Sequence, residues 1–179
     1  MRIAIQGVPG CFSEAAMQWL RPRAQPVFCR RFEDIFATLA SGGAEAALVP
    51  VHNTLAGEIA ATRTLLRLHP MRKIAATRLR IELCLMIHPS STPERIVRVL
   101  SHPVALAQCG HFLGRHPGWK PIPYFDTAGS AGYVMLRRDL VSAAIAPLRA
   151  VQAYGTRLVE RDMGDTAENY TTFQLLRPA

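Results

Sequence analysis

At 179 residues, 49% of them hydrophobic, the chain has the length of one domain, roughly 100–200 residues, and enough apolar content for a real core. No apolar run approaches the roughly 20 residues of a membrane span, and the opening Met1-Arg2-Ile3-Ala4-Ile5-Gln6-Gly7 lacks the apolar core and cleavage site of a signal peptide, so a cytoplasmic protein is expected. The formal charge of +8 favours an anionic partner, yet the arginines are scattered, only Lys73 and Lys120 are lysines, and no basic run interleaves with aromatics, so no nucleic-acid partner and no membrane partner is expected.

Apolar runs alternate with segments of helical period, the pattern of βα units and a mainly parallel sheet. Arg2–Gln6 reads as the first strand. Gly7, Pro9 and Gly10 shape the next loop, and Ser13 is expected to N-cap a helix reaching about Leu20. A strand at 26–29, a helix at 33–41, a strand at 46–51 and a helix at about 58–68 continue the alternation. Residues 74–87 are long for one strand and hold no internal breaker, so the chain is expected to change lobe there. A helical turn at 92–95, a strand at 97–100, a helix at 104–115, a strand at 121–125, a helix at 128–138 and a buried strand at 142–146 follow. Residues 156–162 and 171–176 carry β-favouring residues around a polar loop and are expected to return to the first lobe. The result is a two-lobed α/β domain with a cleft between the lobes, lobe 1 at about 1–75 and 156–179 and lobe 2 at about 76–155.

The apolar run at 46–51 stops abruptly in His52, Asn53 and Thr54, with Gly57 close behind. In open α/β sheets ligands lie beyond the carboxyl ends of strands, so three adjacent hydrogen-bonding side chains fit a binding wall. Taken alone, the segment fits a polar turn equally well. Ser101-His102-Pro103, Asp126-Thr127-Ala128-Gly129-Ser130 and Asn169-Tyr170-Thr171-Thr172-Phe173 repeat the pattern, although Asp126 or Thr127 also suits a helix cap. Cys11, Cys29, Cys84 and Cys109 show no CxxC pairing and read as packing residues. Cys109, His111 and His116 complete no zinc pattern, so no metal site is expected.

Five segments, in order, resemble the prephenate dehydratase family: Gly7-Val8-Pro9-Gly10-Cys11-Phe12-Ser13-Glu14-Ala15-Ala16, Pro50-Val51-His52-Asn53-Thr54-Leu55-Ala56-Gly57, Ser101-His102-Pro103-Val104-Ala105-Leu106-Ala107-Gln108-Cys109, Asp126-Thr127-Ala128-Gly129-Ser130-Ala131 and Asn169-Tyr170-Thr171-Thr172-Phe173. The resemblance implies a periplasmic-binding-protein-like (type II) domain with its site in an inter-lobe cleft. It implies loss of carbon dioxide and the ring hydroxyl from prephenate to give phenylpyruvate, without metal or organic cofactor, in a homodimer. Thr171 is implied as the group that assists the departing hydroxyl, with Asn53, Ser101 and Gln108 among the catalytic residues. Ser13, Thr54, Gly57, Asp126, Thr127, Ala128, Gly129, Thr172 and Phe173 are implied around the substrate.

Two positions depart from the family pattern. His52 stands where a glutamate is usual, so an imidazole is expected as a candidate general acid for hydroxide loss. Thr172 stands where an arginine is usual, which removes a two-pronged carboxylate grip. The chain ends at Ala179, soon after the last motif, whereas many members continue into a regulatory ACT domain, so a stand-alone catalytic domain is expected. Dehydration of prephenate is the leading reading. A prephenate decarboxylase that does not aromatise, and a ligand-binding homologue without turnover, are the alternatives; arogenate, with an amine for the side-chain ketone, is an alternative substrate.

Overall fold

The computed structural model describes residues 1–179, which divide into two compact units: Met1–Val8, Phe12–Ile81 and Glu168–Ala179 form the first, Pro9–Cys11 and Glu82–Ala167 the second. The chain runs through β1 (Arg2–Gln6), α1 (Phe12–Leu20), β2 (Gln25–Cys29), α2 (Phe32–Ala40), β3 (Ala46–Asn53), β4 (Gly57–Glu58), α3 (Ala60–Leu68) and β5 (Met71–Arg80). The second unit carries β6 (Leu83–Ile87), a 3-10 turn (Pro93–Arg95), β7 (Arg98–Ser101), α4 (Pro103–Ala107), α5 (Gly110–Gly114), β8 (Lys120–Pro123), α6 (Thr127–Leu136), β9 (Ser142–Pro147), α7 (Arg149–Tyr154) and β10 (Arg157–Glu160). Strand β11 (Tyr170–Pro178) returns to the first unit.

The first sheet has the order β2-β1-β3-β11-β5, with β4 paired to β3. Strand β1 is parallel to β2 and β3, whereas β11 runs antiparallel to β3 and β5. The α/β class expected from the sequence is met, but both sheets are mixed rather than mainly parallel, because hydrophobic period carries no information on strand direction. Central strands are apolar on both faces: Ile3, Ile5, Leu48 and Val49 are fully buried. One face meets α2 and α3, where Ala47, Val49 and Leu176 pack with Ile35, Phe36, Leu39 and Leu65. Helix α1, with Ala16 and Met17 buried, packs against β1, β3 and β5.

The second sheet has the order β10-β6-β9-β7-β8. Strands β6 and β9 are buried along their whole length, which is why their sequences, LCLMI and SAAIAP, show no alternation. Strand β8 is an edge. The N–H of Lys120 donates inward to Val97 O (2.8 Å) and that of Tyr124 to Ser101 O (2.8 Å). Alternation then turns Pro121 and Pro123, which have no N–H, to the outer side.

Several expected bounds move. The run at 74–87 is two strands, β5 and β6, and the units divide there, between Ile81 and Glu82. The return falls between Ala167 and Glu168 rather than near 156, because β10 pairs antiparallel with β6 in the second sheet. The single helix expected at 104–115 is α4 and α5, broken at Gln108 and Cys109. There the N–H of Asp165 donates to Gln108 O (2.7 Å) and Asp165 Oδ1 accepts from the His111 N–H (2.9 Å). Ser13 is the second residue of α1 rather than its N-cap. Helix α7 was not expected, although Gly155, left-handed at φ 73°, is the usual signature of a helix end.

Candidate active site

In the first unit the polar end of β3 lies against the start of β11. Thr171 faces Asn53 and Thr172 faces His52, but the next pair is Phe173 with Pro50, so Val51 is the extra residue of a β-bulge. A bulge keeps two successive residues on one face, so Val51 and His52 share a face and Asn53 turns to the other. Asn53 and Thr171 are consequently side by side and buried, at 8% and 7% exposure. His52 is exposed.

Asn53 Oδ1 accepts from the backbone N–H groups of Leu55 and Ala56, both at 2.9 Å. Those partners only donate, so the orientation of the amide is fixed and its NH2 points to β11. There it reaches Asn169 Oδ1 (2.9 Å), Thr171 Oγ1 (3.0 Å) and, at 3.2 Å, Tyr170 O. Thr171 Oγ1 therefore accepts, and no protein group takes its own proton. The geometry presents a hydroxyl held by its oxygen with its hydrogen available.

The Thr54 hydroxyl is used within the protein. It donates to Glu168 O (2.7 Å) and accepts from the Tyr170 N–H (2.9 Å), so it staples β11 to the turn instead of offering a free donor to a ligand. Gly57, at φ 77°, lets the chain turn back into β4 opposite Asn53. Phe173 is 2% exposed and belongs to the core beneath Thr171. Ser13 is buried in the first turn of α1.

The two family departures are cross-strand neighbours. His52 pairs with Thr172, and Thr172 pairs on its other side with Arg78 of β5, so the three form one row on the face opposite Asn53 and Thr171. This placement corrects the expectation that His52 stands with Thr171 as an acid. The Arg78 guanidinium lies 4.3 Å from the centroid of the Tyr170 ring.

In the second unit Ser101 ends β7 and is fully buried, its Oγ donating to Ile145 O (2.6 Å). With its proton given to that carbonyl, the Ser101 hydroxyl can only accept. Asp126 N-caps α6: its Oδ1 accepts from the Gly129 N–H (2.8 Å). Burial raises the Asp126 carboxyl above its ordinary value, opposed by the N–H groups of Gly129 and Ala128 and by the nearby His102. Thr127 opens α6, with its carbonyl accepting from Ser130 Oγ (2.6 Å), while Ala128 and Gly129 are buried helix residues. A Cβ on Gly129 would stand 3.0 Å from Cζ of the exposed Phe125 ring, which would have to give way. Gln108 closes α4 and its carbonyl holds Asp165. His102 caps α4 through Nδ1, which accepts from the Val104 N–H (3.3 Å).

The reading from sequence missed Asn169 and Arg78. Asn169 heads the last motif and is 2% exposed, a buried amide that needed a partner. Arg78 has no signal among its many fellow arginines; only strand register selects it.

A buried amide ladder presenting a threonine hydroxyl, on a two-sheet α/β scaffold, defines a candidate lyase or binding site. The sequence model of the prephenate dehydratase family matches residues 3–179, and the chain belongs to that family. Arogenate dehydratase 3, chloroplastic, of Arabidopsis thaliana is 36% identical over 98% of this chain and 42% of its own length. A solved prephenate dehydratase from Arthrobacter aurescens, in complex with L-Phe, is 29% identical with a TM-score of 0.90, covering 100% of this chain and 61% of that one. GqqA, described as a quorum quenching acylase, is 31% identical with a TM-score of 0.89, covering 100% and 64%. The chain spans about two fifths of the length of the first curated relatives it matches.

Proposed function

We propose that this chain catalyses the decarboxylating dehydration of prephenate to phenylpyruvate, a carbon–oxygen lyase step in phenylalanine biosynthesis. The observation that carries this reading is the 3.0 Å bond from Asn53 Nδ2 to Thr171 Oγ1, with the amide orientation fixed from its other end. In the reaction the bond from the ring to its carboxylate breaks and releases carbon dioxide. The electron pair completes the aromatic ring and expels the hydroxyl from the opposite carbon as hydroxide, which becomes water on taking a proton.

A threonine hydroxyl is too weak an acid to give up its proton outright, so Thr171 acts as a positioned donor to the departing oxygen. The Asn53 N–H at Thr171 Oγ1 polarises the hydroxyl and strengthens that donation. Asn169 holds Asn53 in place. Aromatisation supplies the driving force, and the proposed route draws on no metal or organic cofactor. His52 and Thr172 lie on the other face, so neither departure removes a group from the Asn53–Thr171–Asn169 set. This favours an enzyme over a homologue that only binds.

Arogenate is the second reading, because the plant relative at 36% identity is named for it. The test is purified protein with each substrate, following aromatic product and carbon dioxide together. Equal amounts of phenylpyruvate and carbon dioxide from prephenate are expected. Phenylalanine from arogenate alone would install the second reading. Carbon dioxide without an aromatic product, or binding without turnover, would overturn both.

A further inference from the structure

One cavity of the first unit lies away from Asn53 and Thr171. Its volume is about 320 Å³ and it is lined by Val51, Glu58, Arg63, Leu66, Arg67 and Gln174. Gln174 is two residues beyond Thr172 on β11, and Val51 is the bulge residue beside His52, so the cavity floor is the sheet face opposite the proposed reaction centre. Helix α3 supplies Arg63, Leu66 and Arg67 as the wall.

The charges of this cavity do not cancel. Glu58 Oε2 and Arg63 Nη1 are paired at 2.7 Å, which leaves the Arg67 guanidinium and the Gln174 amide as polar groups with no protein partner. One unmatched cation with an amide donor beside it suits a single carboxylate, which a guanidinium grips through parallel N–H groups. Glu58 repels a second negative charge. Val51 and Leu66 offer an apolar surface to the rest of the ligand. The volume is at the lower end of small-molecule sites, which run from about 300 to 1,000 Å³.

We propose that this cavity is a binding site for a small monocarboxylate with a compact apolar body, its carboxylate on Arg67 and Gln174 and its body against Val51 and Leu66. The site does not depend on the dehydratase reading, since it is read by binding and not by turnover. The experiment uses the full chain labelled at its Val and Leu methyl groups, titrated with benzoate and with the uncharged isostere benzamide while NMR shifts are followed. Benzoate is expected to move the Val51 and Leu66 methyl signals saturably, and benzamide is not. Arg67→Met is expected to weaken benzoate about tenfold or more, the loss that goes with one charge-assisted hydrogen bond. Arg67→Gln, which keeps most of the aliphatic stem, gives the same readout should Arg67→Met fold poorly, and Gln174→Leu weakens binding less. Thr171→Ala should leave the benzoate affinity unchanged. No saturable shift, equal shifts from benzamide, undiminished affinity without the Arg67 charge, or a loss of affinity in Thr171→Ala would each overturn the proposal.

Discussion

The amide of Asn53 has two ends, and each meets a different neighbour. Its oxygen ties the turn that follows β3, and its nitrogen reaches Thr171 across the strand pair. Asn53→Asp separates the two roles: a carboxylate still accepts from Leu55 and Ala56 but cannot donate to Thr171. The expected outcome is a folded protein with lowered kcat, because a carboxylate oxygen beside Thr171 Oγ1 takes the proton that hydroxyl would donate, and Thr171→Ala falls about a hundredfold, the usual loss for one placed donor at a developing negative charge. Steady-state kinetics beside thermal melting checks both. His52→Gln should retain kcat and the shape of the pH–rate profile; a lost ionisation in that profile would return His52 to the reaction. The motifs drew the eye to Asn53 and Thr171, which the fold brings into contact, because strand-end polar residues stand out against an apolar run. They misled over Thr54 and Ser101, since a sequence displays a hydroxyl but not the carbonyl that takes its proton. His52 is set apart for a different reason: successive strand residues face opposite sides, so its very adjacency to Asn53 turns it away from Thr171.

At the scale of elements, strand positions were legible and pairings were not. Residues 46–51 read as a strand, yet β3 continues through Asn53 and takes its bulge only where β11 lies beside it, a relation between segments 118 residues apart at the Asn53–Thr171 contact. The break between α4 and α5 has the same origin, since Asp165, 54 residues beyond His111, holds it open. Helix α6 carries a prediction of its own. Its cap Asp126 has a carboxyl raised by burial, so the folded protein binds that proton more tightly than the unfolded chain does. The contribution to stability is therefore present at low pH and is lost as pH climbs from the ordinary carboxylate value, about 3.9, through the raised one. Asp126→Asn keeps an acceptor for the Gly129 N–H and carries no charge. The denaturation midpoint of Asp126→Asn relative to the parent should rise between about pH 4 and pH 7, as denaturant titrations at both values will show.

For the whole molecule, the alternation of apolar runs with helix-period segments foresaw an α/β protein, and the run at 74–87, too long for one strand, is β5 and β6 on either side of Ile81 and Glu82. Direction was not legible, because β11 arrives antiparallel to β3 after a long excursion through the second unit, and period alone is blind to that. The cysteines were legible as packing residues. All four are buried and none forms a disulfide, and burial pushes the Cys84 and Cys109 thiols up to about 11 and about 12.

The outer side of β8 has a consequence for how copies of this protein meet one another. An exposed strand normally recruits another by exchanging hydrogen bonds, and here Pro121 and Pro123 leave two successive outward positions with no donor. A second strand laid along this edge would find its carbonyls unanswered, so stacking of partly unfolded chains is discouraged where a free edge would otherwise seed it. Replacing both prolines with valine should make heated solutions scatter more light at a lower temperature than the parent, with the native fold unchanged by circular dichroism. Two rings in a four-residue strand thus guard the solubility of the chain.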